Sequence, residues 1–167
     1  MEQLVIHGGH PLHGRVKIGG AKNAVLPIIA GTLLGTNGRS VLDDVPALED
    51  VYTITAVLRA LGVTADYTPE EHRLVIDASH IGTAVAPYDL VRKMRASFLI
   101  MGPLLAREGH VEISLPGGCA IGTRPIDLHL KGFEALGAEI GITQGAIHAR
   151  APHGLKGARI YFDFPSV

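Results

Sequence analysis

Ala24-Val25-Leu26-Pro27-Ile28-Ile29-Ala30-Gly31-Thr32-Leu33-Leu34 is the stretch on which the fold turns. It is apolar around the whole helical circumference, so a helix over 21–34 has no face to give to water and must be enclosed by other protein. Pro27 reads as an early-turn residue of that helix, where its missing N–H costs little. Upstream, Arg15 to Gly20 alternates like a strand through Val16 and Ile18 and stops at Gly19-Gly20. Downstream the pattern predicts a strand over 40–42 and an amphipathic helix over 48–61 closed by Gly62. Two strands follow, over 63–67 and 73–76, joined by the polar Thr68-Pro69-Glu70-Glu71-His72. The predicted order is β-α-β-α-β-β.

The same order then returns. An apolar helix around Ser97-Phe98-Leu99-Ile100-Met101-Gly102-Pro103-Leu104-Leu105-Ala106 precedes a strand over 111–114, a helix over 126–136 and strands over 138–142 and 146–149. Gly31-Thr32-Leu33-Leu34 is matched by Gly102-Pro103-Leu104-Leu105, and Ala60-Leu61-Gly62-Val63 by Ala135-Leu136-Gly137-Ala138. The second copy is slightly longer, which places a short insertion in the loop that carries Cys119. Leu155-Lys156-Gly157-Ala158-Arg159-Ile160 echoes Leu12-His13-Gly14-Arg15-Val16 and reads as the opening strand of a third copy. A unit that cannot bury its own face needs its neighbours, so a further unit is expected to complete the domain.

Composition narrows the function classes. Fifteen Lys and Arg against sixteen Asp and Glu give a formal net charge of -1, so there is no global basic field for nucleic acid or an anionic membrane. Any anion has to be held locally. The first residues lack the pattern of a signal peptide and no apolar run approaches the length of a membrane span, so a soluble cytoplasmic protein is expected. Cys119 is the single cysteine, which fits a reducing compartment. The nine histidines show no metal-ligand spacing, so no metal site is expected, and with no Walker loop present any nucleotide has to be held by another device.

Two segments carry chemistry. Gly19-Gly20-Ala21-Lys22-Asn23-Ala24 sets a lysine and an amide at the start of the apolar helix. Free backbone N–H groups and the helix dipole favour an anion there, and a lysine in that field is unfavourable unless an anion shares the site. The alternative is a lysine that simply snorkels from a helix start. Leu115-Pro116-Gly117-Gly118-Cys119-Ala120-Ile121-Gly122-Thr123-Arg124-Pro125 joins a strand to a helix, with Pro125 suited to the first helical position. A thiol beside an arginine and a helix N-terminus is expected to have a lowered pKa. The alternative is an inert core cysteine, and the glycines before Cys119 argue against it. Arg92, Lys93 and Arg95 lie at the start of the second apolar helix, and the first two read as a solvated face. Arg95 lies one turn from the apolar stretch, at the end equivalent to Lys22.

Gly20-Ala21-Lys22-Asn23-Ala24, Ala86-Pro87-Tyr88-Asp89-Leu90-Val91, Met94-Arg95-Ala96-Ser97, the Cys119 loop with Arg124-Pro125, and Asp127-Leu128-His129 together resemble the UDP-N-acetylglucosamine 1-carboxyvinyltransferases. The resemblance runs along the whole chain. It implies an inside-out α/β barrel of three β-α-β-α-β-β units per domain around buried helices, with two domains facing each other across the active site. In that scheme 1–20 belongs with the other domain, and 21–167 supplies two units of the catalytic-loop domain and the start of a third. The implied reaction transfers the enolpyruvyl group of phosphoenolpyruvate to the 3-hydroxyl of UDP-N-acetylglucosamine and releases phosphate, in peptidoglycan precursor synthesis, with no metal or organic cofactor implied.

The resemblance makes Cys119, Lys22 and Arg124 the catalytic set. It assigns phosphoenolpyruvate to Lys22, Asn23, Arg95, Arg124 and Cys119, and the nucleotide sugar to Asn23, Arg95, Arg124, Pro125, Ile126, Asp127 and Leu128. The family's aspartate base, placed in the other domain, has no counterpart in this sequence, so this chain alone is expected to be inactive and to need the remainder of the enzyme as its partner. Some relatives have a nucleotide-contacting lysine where Phe164 stands here, beside a matching Ser166 and Val167. Two competing readings are a 3-phosphoshikimate 1-carboxyvinyltransferase, against which Ala21-Lys22-Asn23 and the Cys119 loop speak, and a non-catalytic nucleotide-sugar-binding fragment.

Overall fold

The computed structural model describes residues 3–9, 11–115 and 126–162. Helix α1, Lys22–Gly31, tightens into a 3-10 turn at Thr32–Leu34, and β1, Ser40–Leu42, follows. Helix α2, Glu49–Ala60, leads to the hairpin of β2, Thr64–Thr68, and β3, Arg73–Asp77. A short α3, Tyr88–Lys93, precedes a 3-10 segment, Arg95–Ile100, that runs into α4, Met101–Glu108. Strand β4, His110–Ser114, helix α5, Asp127–Ala135, and the hairpin of β5, Glu139–Thr143, and β6, Ala146–Arg150, complete the second copy.

The predicted repeat is present in the topology. Each copy builds a three-stranded antiparallel sheet in which the last strand lies in the middle, β1-β3-β2 and β4-β6-β5. Period-two alternation fixes which side of each central strand is buried: Leu74 and Ile76 of β3, and Ile147 and Ala149 of β6, point into the core. The two hairpins turn differently. Gln144 and Gly145 both have positive φ, 51° and 77°, the geometry of a two-residue hairpin turn, whereas the first hairpin closes through a 3-10 turn at Pro69–Glu71 and His72 at φ 51°. At the end of α2, Gly62 has φ 86°, and a side chain there would meet the Gly82 nitrogen at 2.8 Å.

One apolar cluster spans both copies. It holds Val25, Leu26, Ile29 and Leu33 of the first apolar helix, Ile54, Val57, Leu58 and Leu61 around α2, and Phe98, Ile100, Met101, Leu104 and Leu105 of the second. Helix α1 packs on the 95–100 segment, and the turn at Thr32–Leu34 packs on α4, so the two apolar helices cover one another. The residues between the copies join the second sheet edge: Glu112 N–H donates to Ala84 O at 3.0 Å and Ala86 N–H to Glu112 O at 2.8 Å.

Five expectations change. No strand forms at 15–18; no strand lies alongside it among the described residues, so its backbone has no ladder to join, and Val16 and Ile18 stand exposed. Lys17 holds Asp44 at 3.1 Å instead. Residues 155–160 likewise form no strand, although Lys156 N–H donates to Leu136 O at 2.8 Å. Pro27 sits in the interior of α1 rather than in its first turn, which removes the helical hydrogen bond to Asn23 O. The first apolar helix is also only half enclosed: Ile28 of α1 is 53% and Leu34 of the 3-10 turn 54% exposed. Finally, Arg92 and Lys93 belong to the separate α3, and extended backbone at Met94 (φ −143°, ψ 121°) divides them from the apolar helix.

Arg107, in the last turn of α4, ties the copies together. Its Nη1 donates to Leu33 O at 2.8 Å, to Gly35 O at 2.9 Å and to Ala78 O at 2.5 Å, and its Nη2 donates to Ser79 O at 3.3 Å. A planar guanidinium suits four converging carbonyls, two of them at the C-terminal end of the first apolar helix, where the dipole favours a cation. Only 15% of the side chain is exposed. Replacing Arg107 with Ala is expected to lower stability by about 2–4 kcal/mol, since partly buried charge-assisted bonds are lost together. Arg107→Lys should recover less than half of that, because a compact ammonium cannot span the four carbonyls. Urea unfolding followed by circular dichroism measures both; a loss under about 1 kcal/mol for Arg107→Ala would show that water replaces the guanidinium.

Candidate anion site at the start of the first apolar helix

The chain enters α1 through Gly20, and the approach is close: a Cβ on Gly20 would lie 2.1 Å from Asp44 O and 2.9 Å from Pro46 Cδ. Space, rather than a left-handed backbone, requires glycine at this position. Ala21 then caps the helix with extended dihedrals (φ −91°, ψ 130°) and no side-chain acceptor, and its carbonyl takes the N–H groups of Ala24 and Val25 at 3.1 and 3.0 Å. The amides of Lys22 and Asn23 precede any helical carbonyl they could reach, and both residues are exposed. The result is an exposed donor array with a lysine beside it, chemistry suited to a phosphate or carboxylate.

An anion already meets that lysine. Lys22 Nζ lies 2.6 Å from Asp50 Oδ2, with Lys22 54% and Asp50 27% exposed. Asp50 is in the first turn of α2, where the helix dipole stabilises a carboxylate. The counter-charge inferred from the sequence is therefore met by the protein itself in this structure. Sequence reasoning missed Asp50 because the pair is long-range; its only local signal is the Glu49-Asp50 acidic start of an amphipathic helix.

A second group assembles where the 95–100 segment meets α5. The Phe98 and His129 rings lie 5.6 Å apart and tilted by 53°. Partial burial lowers the pKa of His129, the Arg95 charge lowers it further, and Asp127 opposes both. Arg95 and Asp127 thus both act on His129, a residue the sequence reading assigned no role. Its position in the Asp127-Leu128-His129 motif was the available signal. Ile126 is buried at the cap of α5, Leu128 is partly buried and Asp127 is exposed in the first turn. Two serine hydroxyls, of Ser97 and Ser114, are buried without a hydrogen-bond partner. Cys119, Arg124 and Pro125, and the tail with Phe164, Ser166 and Val167, lie outside the described residues.

Among the described residues, no group of three or more His, Cys, Asp or Glu is placed to hold a metal ion. No helix among them is long and apolar enough to cross a membrane.

Known proteins place this geometry in a family. Three curated relatives align with all 167 residues. "UDP-N-acetylglucosamine 1-carboxyvinyltransferase 1" of Halalkalibacterium halodurans is 55% identical and "UDP-N-acetylglucosamine 1-carboxyvinyltransferase 2" of Carboxydothermus hydrogenoformans is 62% identical. "UDP-N-acetylglucosamine 1-carboxyvinyltransferase 1" of Staphylococcus aureus strain N315 is 56% identical. The chain spans 38%, 39% and 40% of their respective lengths. The fold is that of the enolpyruvyl transferase NikO from Streptomyces tendae, with a TM-score of 0.73 at 24% identity over 90% of this chain and 32% of that one. EPSP synthase from Acinetobacter baumannii has a TM-score of 0.66 at 18% identity, over 92% of this chain and 35% of that one. The two separate sheets in the described residues correspond to an incomplete version of that architecture. The family model for EPSP synthase (3-phosphoshikimate 1-carboxyvinyltransferase) matches residues 6–167, and the chain belongs to that family.

Proposed function

We propose that this chain supplies part of the active site of an enzyme that transfers the enolpyruvyl group of phosphoenolpyruvate to the 3-hydroxyl of UDP-N-acetylglucosamine, with release of phosphate. The observation that carries the reading is end-to-end identity of 55–62% to transferases named for that sugar nucleotide. The much lower identity, 18%, to the solved EPSP synthase favours the sugar nucleotide over a shikimate substrate. Peptidoglycan precursor synthesis in the cytoplasm, with its ties to cell shape and division, is the corresponding role.

In this reading Lys22, Arg95 and Arg124 bind the polyanionic phosphoenolpyruvate, and Asn23 lies between it and the sugar. Arg124, Pro125, Ile126, Asp127 and Leu128 hold the uridine diphosphate end. The exposed first turn of α1, with Lys22 and Asn23 side by side, supports the first assignment. The exposed Asp127 at the N-terminus of α5 supports the second. Addition across the double bond needs a proton at the methylene carbon, and Cys119 is the acid that delivers it; the same thiol can add to the substrate covalently. The remainder of the enzyme provides the base for the sugar hydroxyl and the wall that closes over the substrates. Residues 1–20 pack with that remainder, a reading supported by the exposure of Leu4, Ile6, Leu12, Val16 and Ile18.

Cys119 is expected to be a reactive thiol. Its rate of alkylation, followed against pH, should give an apparent pKa below the ~8.5 of free cysteine; a value at or above that removes the activated thiolate from the reading. Neutralising Lys22 or Arg124, in a protein extended to the full length of its relatives, should weaken phosphoenolpyruvate binding by about 10–150-fold, the loss of one charge-assisted contact. Calorimetric titration reads this directly, and unchanged affinity in both variants would refute the assignment.

A further inference from the structure

Asp50 is the nearest anion to the proposed phosphate-binding lysine, yet it has no place in the substrate assignments above. We propose that Asp50 is a positioning residue that holds Lys22 in the empty site and competes with phosphate for the same ammonium, so that phosphate binding stays reversible. The inference rests on the reading of Lys22 as a phosphate ligand.

The two partners are unequally dependent on each other. Lys22 stands at the first position of α1, where the dipole repels a cation, whereas Asp50 stands in the first turn of α2, where the dipole supports an anion. When the pair separates, Asp50 keeps its helix N-terminus, but Lys22 needs a new counter-charge. The lysine is therefore the member that changes partners. Half-exposed ion pairs are weak, so a phosphate dianion that also reaches the first-turn amides of α1 displaces the carboxylate. Asp50 remains close after the exchange and repels the bound phosphate. It also aims a long, flexible side chain that would otherwise sample many rotamers. The released product of the proposed reaction carries the same group, so the competition favours its departure.

The test titrates inorganic phosphate, and separately phosphoenolpyruvate, into the 167-residue chain and its variants, with the backbone amide resonances of the first turn of α1 followed by NMR to tens of millimolar ligand. Asp50→Asn should tighten both ligands by about two- to fivefold, the range set by a partly exposed ion pair. Asp50→Glu should restore the original affinity. Glu49→Gln removes the same charge one residue away and should leave binding unchanged. In a Lys22→Met background, Asp50→Asn should have no effect, which separates action through Lys22 from a general change in field. Melting temperatures of the variants exclude a purely structural effect.

Unchanged or weaker binding in Asp50→Asn overturns the proposal. So does an equal gain in Glu49→Gln, an undiminished gain in the Lys22→Met background, or undetectable phosphate binding in Asp50→Asn. Lys22→Met binding both ligands as tightly as the unmodified chain is a different failure: it removes Lys22 from the phosphate site and takes the proposed function with it.

Discussion

The mutual burial of two apolar helices is the constraint on which this structure rests. Helix α1 with its 3-10 extension and the 95–108 segment each turn a broad apolar face inward, and each buries part of the other. Once they are paired, the sheets have only one side on which to place Leu74, Ile76, Ile147 and Ala149, and strand register follows from that. The helix starts stay at the surface because their first-turn amides need partners other than backbone. Scaffold and site are thus two ends of the same helices, one apolar and enclosed, the other polar and open.

That division explains why the candidate site is built from first turns. Lys22 and Asn23 open α1, Arg95 opens the second apolar helix, Asp50 lies in the first turn of α2 and Asp127 in that of α5. Helix starts bring donors and a positive field without consuming core residues. Each charged side chain then reads the field differently. Asp50 and Asp127 are supported by it, and Lys22 and Arg95 are opposed. Lys22, opposed by its own helix, takes its counter-charge from Asp50 in this structure.

The repeat was legible in the sequence because it depends on local pattern. Apolar runs without a polar face, alternation in the strands and glycines at helix ends each occur within a few residues, and both hairpins and both sheets match that reading. Strand character at 15–18 was misread because alternation specifies a face, while a strand also needs a neighbour to pair with. Pro27 misled in another way: a helix already flanked by packing partners tolerates a missing interior hydrogen bond. Asp50, His129 and Arg107 gave little signal for a common reason. Each acts through residues distant in sequence, and charge type alone does not say which partner a fold will bring near.

The joint made by Arg107 and the pair made by Lys22 and Asp50 respond differently to salt. The bonds from Arg107 to Leu33, Gly35, Ala78 and Ser79 end on neutral backbone carbonyls around a largely buried side chain, so dissolved ions screen them little. Lys22 and Asp50 are both charged and partly open to water, so dissolved ions weaken their attraction. The seam between the repeats is thus insulated from ionic strength, while the contact at the mouth of the site is exposed to it. Rising salt alters what the surface can hold and leaves that seam intact.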